Sequence, residues 1–267
     1  MTVTSTALDI RFEAAKALAR EAGFLARRRF VDRDSFTVGF KGPQDYLTEV
    51  DGEVERLLAA KLAHLFPEDG FVGEEGAGRS AAPGAVVWVV DPIDGTANFA
   101  KGIPHFCNAI AAVVGREVVL GVIYDPMVDE LFAARKGGGA TLNGQPLKVS
   151  DATSLSRATL EIGWNARDGA AKYLGLLGRV VASGASPVRC GSGALGLAYI
   201  AAGRRDGYAE HFMYPWDCLA ATVMILEAGG YCSEFLQSDD LRKGNGILAC
   251  APGIKDEFRK TVAIDSL

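Results

Sequence analysis

Trp88-Val89-Val90-Asp91-Pro92-Ile93-Asp94-Gly95-Thr96-Ala97-Asn98-Phe99 is the stretch on which the reading of this chain turns. An apolar run stops at two acids three residues apart, and a glycine and a hydroxyl follow at once. The run from Ala85 to Val90 reads as a buried strand, so Asp91 falls at its carboxyl end, where open sheets place their ligands. Pro92 stiffens the turn beyond it. Ile93 turns inward or offers its carbonyl, and Asp94 points back beside Asp91. Gly95 and Thr96 then present backbone N–H groups at a helix start. Two readings stand side by side: an acidic turn with an Asp helix cap, or a site for metal ions and a phosphate. Acids elsewhere in the chain decide between them.

The 267 residues, 49% of them apolar, can bury a substantial core as one domain or two closely joined halves. A formal charge of −5, from 28 basic and 33 acidic residues well mixed, gives no footprint for nucleic acid or an anionic membrane. A phosphorylated substrate therefore needs local cations. No signal-peptide core follows Met1, and the longest apolar runs are strand-sized, so no membrane partner is expected and the cytoplasm is the default compartment. Cys107, Cys190, Cys218, Cys232 and Cys250 are scattered without C-x-x-C spacing and read as reduced and mostly buried. His64, His105 and His211 fit no zinc triad and read as structural or surface residues.

Apolar residues at helical spacing mark a first helix through Leu8, Leu18 and Leu25, and a second from Val50 to Leu65, ended by Pro67. Asn108 to Val114 and Val118 to Asp125 flank Gly115-Arg116-Glu117 as a hairpin, and Asn143-Gly144 marks another tight turn. An antiparallel sheet is expected there. A soft seam falls at Gly144 to Ser156. Beyond it, strands at Ala158–Gly163, Gly207–Glu210 and Gly246–Cys250 alternate with helices near Asp168–Ala182, Ser192–Ala202 and Asp217–Ala228. That pattern predicts a second, mixed sheet between helical layers.

Glu74 and Glu75 follow a short apolar run and sit between glycines. Asp217 follows Tyr214-Pro215-Trp216 and begins an apolar helix, while Thr48-Glu49-Val50-Asp51 reads equally as a capped helix start. Taken singly, each acid is explained by capping or solvation. As a set, Glu74, Asp91, Asp94 and Asp217 each end an apolar element or begin a helix, and buried together without cations they would repel. Such an all-oxygen cluster favours hard ions, Mg²⁺ where a phosphate completes the shell. Two ions about 4 Å apart activate water and stabilise the leaving oxygen of an in-line displacement.

At these residues the chain resembles the inositol monophosphatases, Mg²⁺-dependent, lithium-sensitive phosphatases of the sugar-phosphatase fold. The Trp88–Phe99 stretch, Gly73-Glu74-Glu75, Asp45-Tyr46-Leu47-Thr48-Glu49-Val50-Asp51 and Trp216-Asp217-Cys218-Leu219-Ala220-Ala221 carry the resemblance, which spans most of the chain. It implies an α-β-α-β-α sandwich, with an antiparallel sheet in the N-terminal half and a mixed sheet in the C-terminal half, built as a single domain over residues 1–267. It implies that Glu74, Asp91, Asp94, Asp217 and the Ile93 carbonyl hold two or three Mg²⁺ ions, with Asp91 bridging two of them. Thr96 and Asp51 would orient the attacking water, with Glu74 counted among the catalytic groups, and the Gly95 and Thr96 amides would hold phosphate. Asp94, Asp217, Glu210 and the Gly191-Ser192-Gly193-Ala194 loop, through Gly193 and Ala194, would meet the rest of the substrate. A homodimer is the usual assembly.

The chain departs from the family pattern at Leu219, where a small residue is usual, and at Lys41, which lies one residue closer to Asp45 than its counterpart. The first bears on pocket shape and the second on a loop cation. The expected substrate is a small phosphorylated polyol, myo-inositol 1-phosphate. Histidinol phosphate is the alternative, since Glu210 also suits an ammonium, and other sugar or nucleotide phosphates occur within the scaffold. A reading of another class is a binding protein of transcription complexes, with phosphatase activity incidental.

Overall fold

The protein is described by a computed structural model covering residues 4–42, 45–165 and 169–264. In chain order it runs α1 (Ser5–Val31), β1 (Val38–Gly42), β2 (Asp45–Thr48), α2 (Glu49–Leu65), β3 (Gly70–Gly73), β4 (Gly78–Arg79), β5 (Val86–Asp94) and α3 (Thr96–Lys101). Then come β6 (Cys107–Val114), β7 (Glu117–Asp125), β8 (Glu130–Arg135), β9 (Ala140–Leu142) and β10 (Gln145–Pro146). The second half holds β11 (Thr159–Ile162), α4 (Ala170–Ala182), β12 (Ser186–Val188), α5 (Gly193–Ala201), β13 (Gly207–Met213), α6 (Pro215–Glu227), β14 (Tyr231–Cys232), β15 (Asn245–Cys250) and α7 (Lys255–Val262). Asp168, at the expected start of the fourth helix, lies outside the described residues.

Strand periodicity explains the layers. In β5, Trp88 and Val90 bury against α1 and α2, while Val89 points to the opposite face, toward α5 and α6. Ile110 and Ala112 of β6 join the first side, and Ala109, Ala111 and Val113 the second. In the second sheet, Tyr208, Ile247 and Ala249 share the α5–α6 core, whereas Ala209, Leu248 and Cys250 face α4 and α7. The result is the expected α-β-α-β-α sandwich, with α5 and α6 as the middle layer. Gly121 lets the middle layer close in: a Cβ there would lie 2.0 Å from the Ala220 carbonyl oxygen of α6.

The first sheet has the order β10-β9-β8-β7-β6-β5-β3-β4 and is antiparallel except for the parallel pair β3–β5. The second runs β12-β11-β13-β15-β14 and is mixed as expected. The first sheet ends at Pro146 and the second begins at Thr159. Both predicted turns form, with Val114 opposite Glu117 and Leu142 opposite Gln145. Asn143 and Gly144 take φ of 48° and 80°, the left-handed values a two-residue hairpin needs.

Two expectations need correction. β5 does not stop before Asp91. It continues to Asp94 through a bulge, so Pro92 sits in an irregular stretch of strand rather than in a turn. α6 begins at Pro215, two residues before Asp217, because proline suits a first helical turn that needs no N–H. The five cysteines are free, with Cys107, Cys218 and Cys250 buried. Among the described residues no helix is long and apolar enough to cross a membrane.

Candidate active site

Two successive apolar strands, each ending in acid, begin the site. The parallel register sets Gly73 beside Val90, and the Glu74 amide donates to the Val90 carbonyl at 3.2 Å. Glu74 is thereby brought beside Asp91, and its charge helps to raise the Asp91 carboxyl. Asp91 and Asp94 are three apart, so in a plain strand they would face opposite sides of the sheet. Against β6, however, Asp91 pairs with Ala109 and Asp94 with Cys107, three steps on one strand against two on the other. The extra residue turns both acids into one cluster.

Asp217 joins them from the first turn of α6. One of its oxygens, Oδ2, accepts from the Tyr214 amide at 3.2 Å and closes a capping box. Carboxylate oxygens of Asp91, Asp94 and Asp217 lie within 4.8 Å of one another. Asp94 is anchored to the start of α5, accepting from the Ser192 hydroxyl, from the Ala194 amide at 2.9 Å and from the Gly193 amide at 3.3 Å. Asp91 Oδ1 accepts from the Ile93 amide at 2.9 Å.

Asp51 caps a helix with one oxygen and meets Thr96 with the other. Its Oδ2 caps α2, accepting from the Thr48 amide at 2.8 Å and from the Thr48 hydroxyl. Its Oδ1 accepts from Thr96 Oγ1 at 3.2 Å, and that hydroxyl is also 2.9 Å from the Ile93 carbonyl. Gly95, between the cluster and Thr96, takes φ of 93°, and a Cβ there would lie 3.1 Å from the His105 carbonyl. Only glycine fits without strain.

Burial is the first cause of every carboxyl shift here. Burial, then the charges of Glu74, Asp94 and Asp217, hold Asp91 well above the usual carboxylate range. Asp217 is raised likewise by burial, then by Glu74 and Asp94. Asp94 is raised by burial and pulled back by the Ser192, Ala194 and Gly193 donors. Asp51 is pushed up to about 6, with the Thr48 hydrogen bonds opposing the desolvation. Three acids this close disfavour their own ionisation, and a bound cation removes that penalty. The all-oxygen donor set fits a hard divalent ion.

A cavity of about 170 Å³ opens from Asp94 and Asp217 and is lined by Glu161, Tyr208, Glu210 and Gly193 among others. Glu210 is nearly buried, and its Oε2 accepts from the Tyr208 hydroxyl at 2.6 Å. Gly163 makes room for it, since a Cβ there would fall 1.9 Å from Glu210 Oε2. Gly193 lines the cavity, while the Gly193 and Ala194 amides point to Asp94. Leu219 is buried in the middle layer, on the helix that carries Asp217, and is not among the residues lining this cavity. The Lys41 side chain lies outside the described residues.

Sequence reasoning missed three supports. Glu55 is buried and accepts from the Glu75 and Ala77 amides, both at 2.8 Å, holding the loop that carries Glu74. Its spacing of four from Asp51 on one helix face was the available signal. Asn98 Nδ2 ties the His105 and Cys190 carbonyls together at 2.8 and 2.9 Å. Ser192, the N-cap of α5, was legible as a serine before a helix, but its grip on Asp94 was not.

The layered sandwich with its buried carboxylate centre defines the class, a phosphatase of the sugar-phosphatase fold. The chain belongs to the inositol monophosphatase family, whose model matches residues 7–264. It is 40% identical over 225 residues to an inositol-1-monophosphatase of Rhizobium meliloti (strain 1021), covering 84% of this chain and 82% of that one. It is 36% identical to the Nus factor SuhB of Escherichia coli (strain K12), over 88% of this chain and 89% of that one. The crystal structure of the extragenic suppressor protein suhB from Bartonella henselae superposes with a TM-score of 0.86 at 34% identity, over 92% of this chain and 95% of that one.

Proposed function

We propose that the chain is a Mg²⁺-dependent phosphomonoesterase that hydrolyses myo-inositol 1-phosphate to myo-inositol and phosphate. The observation that carries this reading is the Asp51–Thr96 pair standing beside the three-carboxylate cluster. Glu74, Asp91, Asp94, Asp217 and the Ile93 carbonyl would hold two or three Mg²⁺ ions. When bound, such ions neutralise the phosphate and lower the pKa of a coordinated water. Thr96 donates to Asp51 and accepts from the attacking water, aligning its lone pair on phosphorus. Asp51, ionised above about pH 6, takes up the displaced proton. The water oxygen bonds to phosphorus, the bond from phosphorus to the alcohol oxygen breaks, and that oxygen takes a proton from solvent water as it leaves, while Asp51 later returns its proton to solvent. The Gly95 and Thr96 amides hold the phosphate oxygens, and Glu210 accepts hydroxyl hydrogens of the leaving polyol.

Glu210 would also seat an ammonium, which keeps histidinol phosphate as the second substrate. Ranking kcat/KM for myo-inositol 1-phosphate, histidinol phosphate, fructose 1,6-bisphosphate and adenosine 3′,5′-bisphosphate tests the assignment. The inositol ester ranks first under this reading, and a wide margin for histidinol phosphate overturns it. The relative named Nus factor SuhB motivates a role in a transcription complex. That role is tested by capture with RNA polymerase of wild-type and Asp94→Asn protein. A homodimer, tested by light scattering, completes the proposal.

A further inference from the structure

Asn98 stands where three segments of the site meet, and no step of the hydrolysis described above uses it. It lies on α3, two residues after Thr96, and is 9% exposed. Its Nδ2 donates to the His105 carbonyl at 2.8 Å and to the Cys190 carbonyl at 2.9 Å, so both amide hydrogens are matched. His105 belongs to the stretch running from α3 into β6, and Cys190 to the loop running into α5.

The two sides of this junction carry different parts of the substrate. On one side Gly95 and Thr96 open α3, with the amides assigned to the phosphate. On the other, Gly191, Ser192 and Gly193 line the cavity that takes the alcohol. Each side is packed into its own core. Phe99 of α3 is buried against Phe106 in the core shared with α1 and α2, while Ala194 and Leu195 of α5 belong to the middle layer. The other ties of the Cys190–Ala194 loop lead elsewhere: Glu161 holds the Cys190 amide to β11, and Asp94 holds Ser192, Gly193 and Ala194 to the end of β5. Asn98 joins the loop to α3.

The backbone is shaped to that bond. Gly191 takes φ of 85°, and a Cβ there would lie 3.1 Å from Asn98 Nδ2. A Cβ on Gly95 would lie 3.3 Å from the Ser192 Cβ and 3.4 Å from the Gly191 carbonyl oxygen. The two glycines let the phosphate turn and the loop approach closely, and the Asn98 amide fixes how one sits on the other.

We infer that Asn98 is a positioning residue that sets the phosphate-binding turn against the alcohol-binding loop, so that an ester held at both ends is aligned for in-line attack. The inference rests on the phosphomonoesterase reading. An ester gripped at both ends depends on the spacing of the two subsites, whereas a ligand held at one end does not. Asn98 therefore bears on the joined substrate more than on its separate parts.

The test compares wild type, Asn98→Ala and Asn98→Ser on the better substrate of myo-inositol 1-phosphate and histidinol phosphate, and on p-nitrophenyl phosphate, whose leaving group has no hydroxyl or ammonium for the cavity. Inhibition by inorganic phosphate, which needs the phosphate side alone, is measured alongside. Asn98→Ala should lower kcat/KM on the natural-type ester by about tenfold or more, with p-nitrophenyl phosphate turnover and the inhibition constant of phosphate each within about threefold. Asn98→Ser, which keeps one donor on a shorter side chain, should fall between wild type and Asn98→Ala. Equal losses on both esters, with phosphate inhibition weakened alike, are the signature of a residue that only supports the fold and overturn the inference, as does no loss on either ester. Should the alanine variant fail to fold, the serine variant reads the same ratio. A wild type that cleaves none of the esters defeats the underlying reading, whereas an active wild type with an unselective variant defeats only the role of Asn98.

Discussion

Thr96 Oγ1 stands 3.2 Å from Asp51 Oδ1, while Asp51 Oδ2 accepts the Thr48 amide at the start of α2. One carboxylate thus fixes a helix end and aims a hydroxyl. Asp51→Asn retains an acceptor for Thr48 but removes the proton acceptor, so kcat should fall by about 10²- to 10⁴-fold while the fold is kept. Steady-state phosphate release alongside a thermal melt checks both halves.

The pH dependence follows from the same residue. Asp51 is raised from 3.8 to about 6 in the folded protein, so it is ionised, and competent as a base, only above that value. Activity should fall as pH drops through about 6, and Asp51→Asn should lose that acid limb. For stability the sign is opposite. A raised carboxyl favours the protonated folded state, so its contribution is full below pH 3.8 and lost as pH rises to about 6. The shift corresponds to on the order of 3 kcal/mol. Urea melts of wild type and Asp51→Asn across pH 4 to 7 should diverge, with the variant gaining relative stability as pH rises.

Metal binding should stabilise the fold and weaken with acid. Asp91, Asp94 and Asp217 are held high by burial and, at Asp91 and Asp217, by their acidic neighbours, so protons compete for the same oxygens. Calorimetric titration with Mg²⁺ should give tighter binding at pH 8 than at pH 6, and chelation should abolish hydrolysis and lower Tm. Equal affinity at both pH values would count against these carboxylates as ligands.

Much of this centre was legible because each acid follows an apolar run or falls in the first turn of a helix, as Glu74, Asp91 and Asp217 do. Their convergence was not. It depends on the parallel register that sets Gly73 against Val90, and on the bulge between Asp91 and Asp94, neither of which leaves a local signal. The layers were readable from period-two burial in β5 and β6. The choice between cap and ligand could not be read at Asp51 or Asp217, because at Asp51 each oxygen meets a different partner, and at Asp217 one oxygen caps α6 from within the acid cluster.

Glu55 supplies a test of the support behind Glu74. Glu55→Ala removes the acceptor of the half-buried Glu75 and Ala77 amides, costing about 1 kcal/mol for each. The loop carrying Glu74 should loosen, so Mg²⁺ affinity falls along with stability, measured by calorimetry and by denaturant melts. Unchanged affinity in a folded variant would separate Glu55 from the site.

Gly121 tests the middle layer away from the chemistry. Gly121→Ala drives a methyl to 2.0 Å from the Ala220 carbonyl, so β7 or α6 must shift. A loss of about 1–3 kcal/mol or more is expected in denaturant unfolding, as for other overpacked cores.

The central claim is that the buried carboxylates centred on Asp91 drive metal-dependent phosphate ester hydrolysis. Mg²⁺-dependent phosphate release from myo-inositol 1-phosphate by folded Asp91→Asn, compared with wild type under saturating metal, tests it most directly. A fall in kcat/KM of orders of magnitude, with the melting temperature of the metal-free protein unchanged or raised by the loss of one repelling charge, is the predicted result. Near-wild-type, Mg²⁺-dependent turnover by that variant would contradict it.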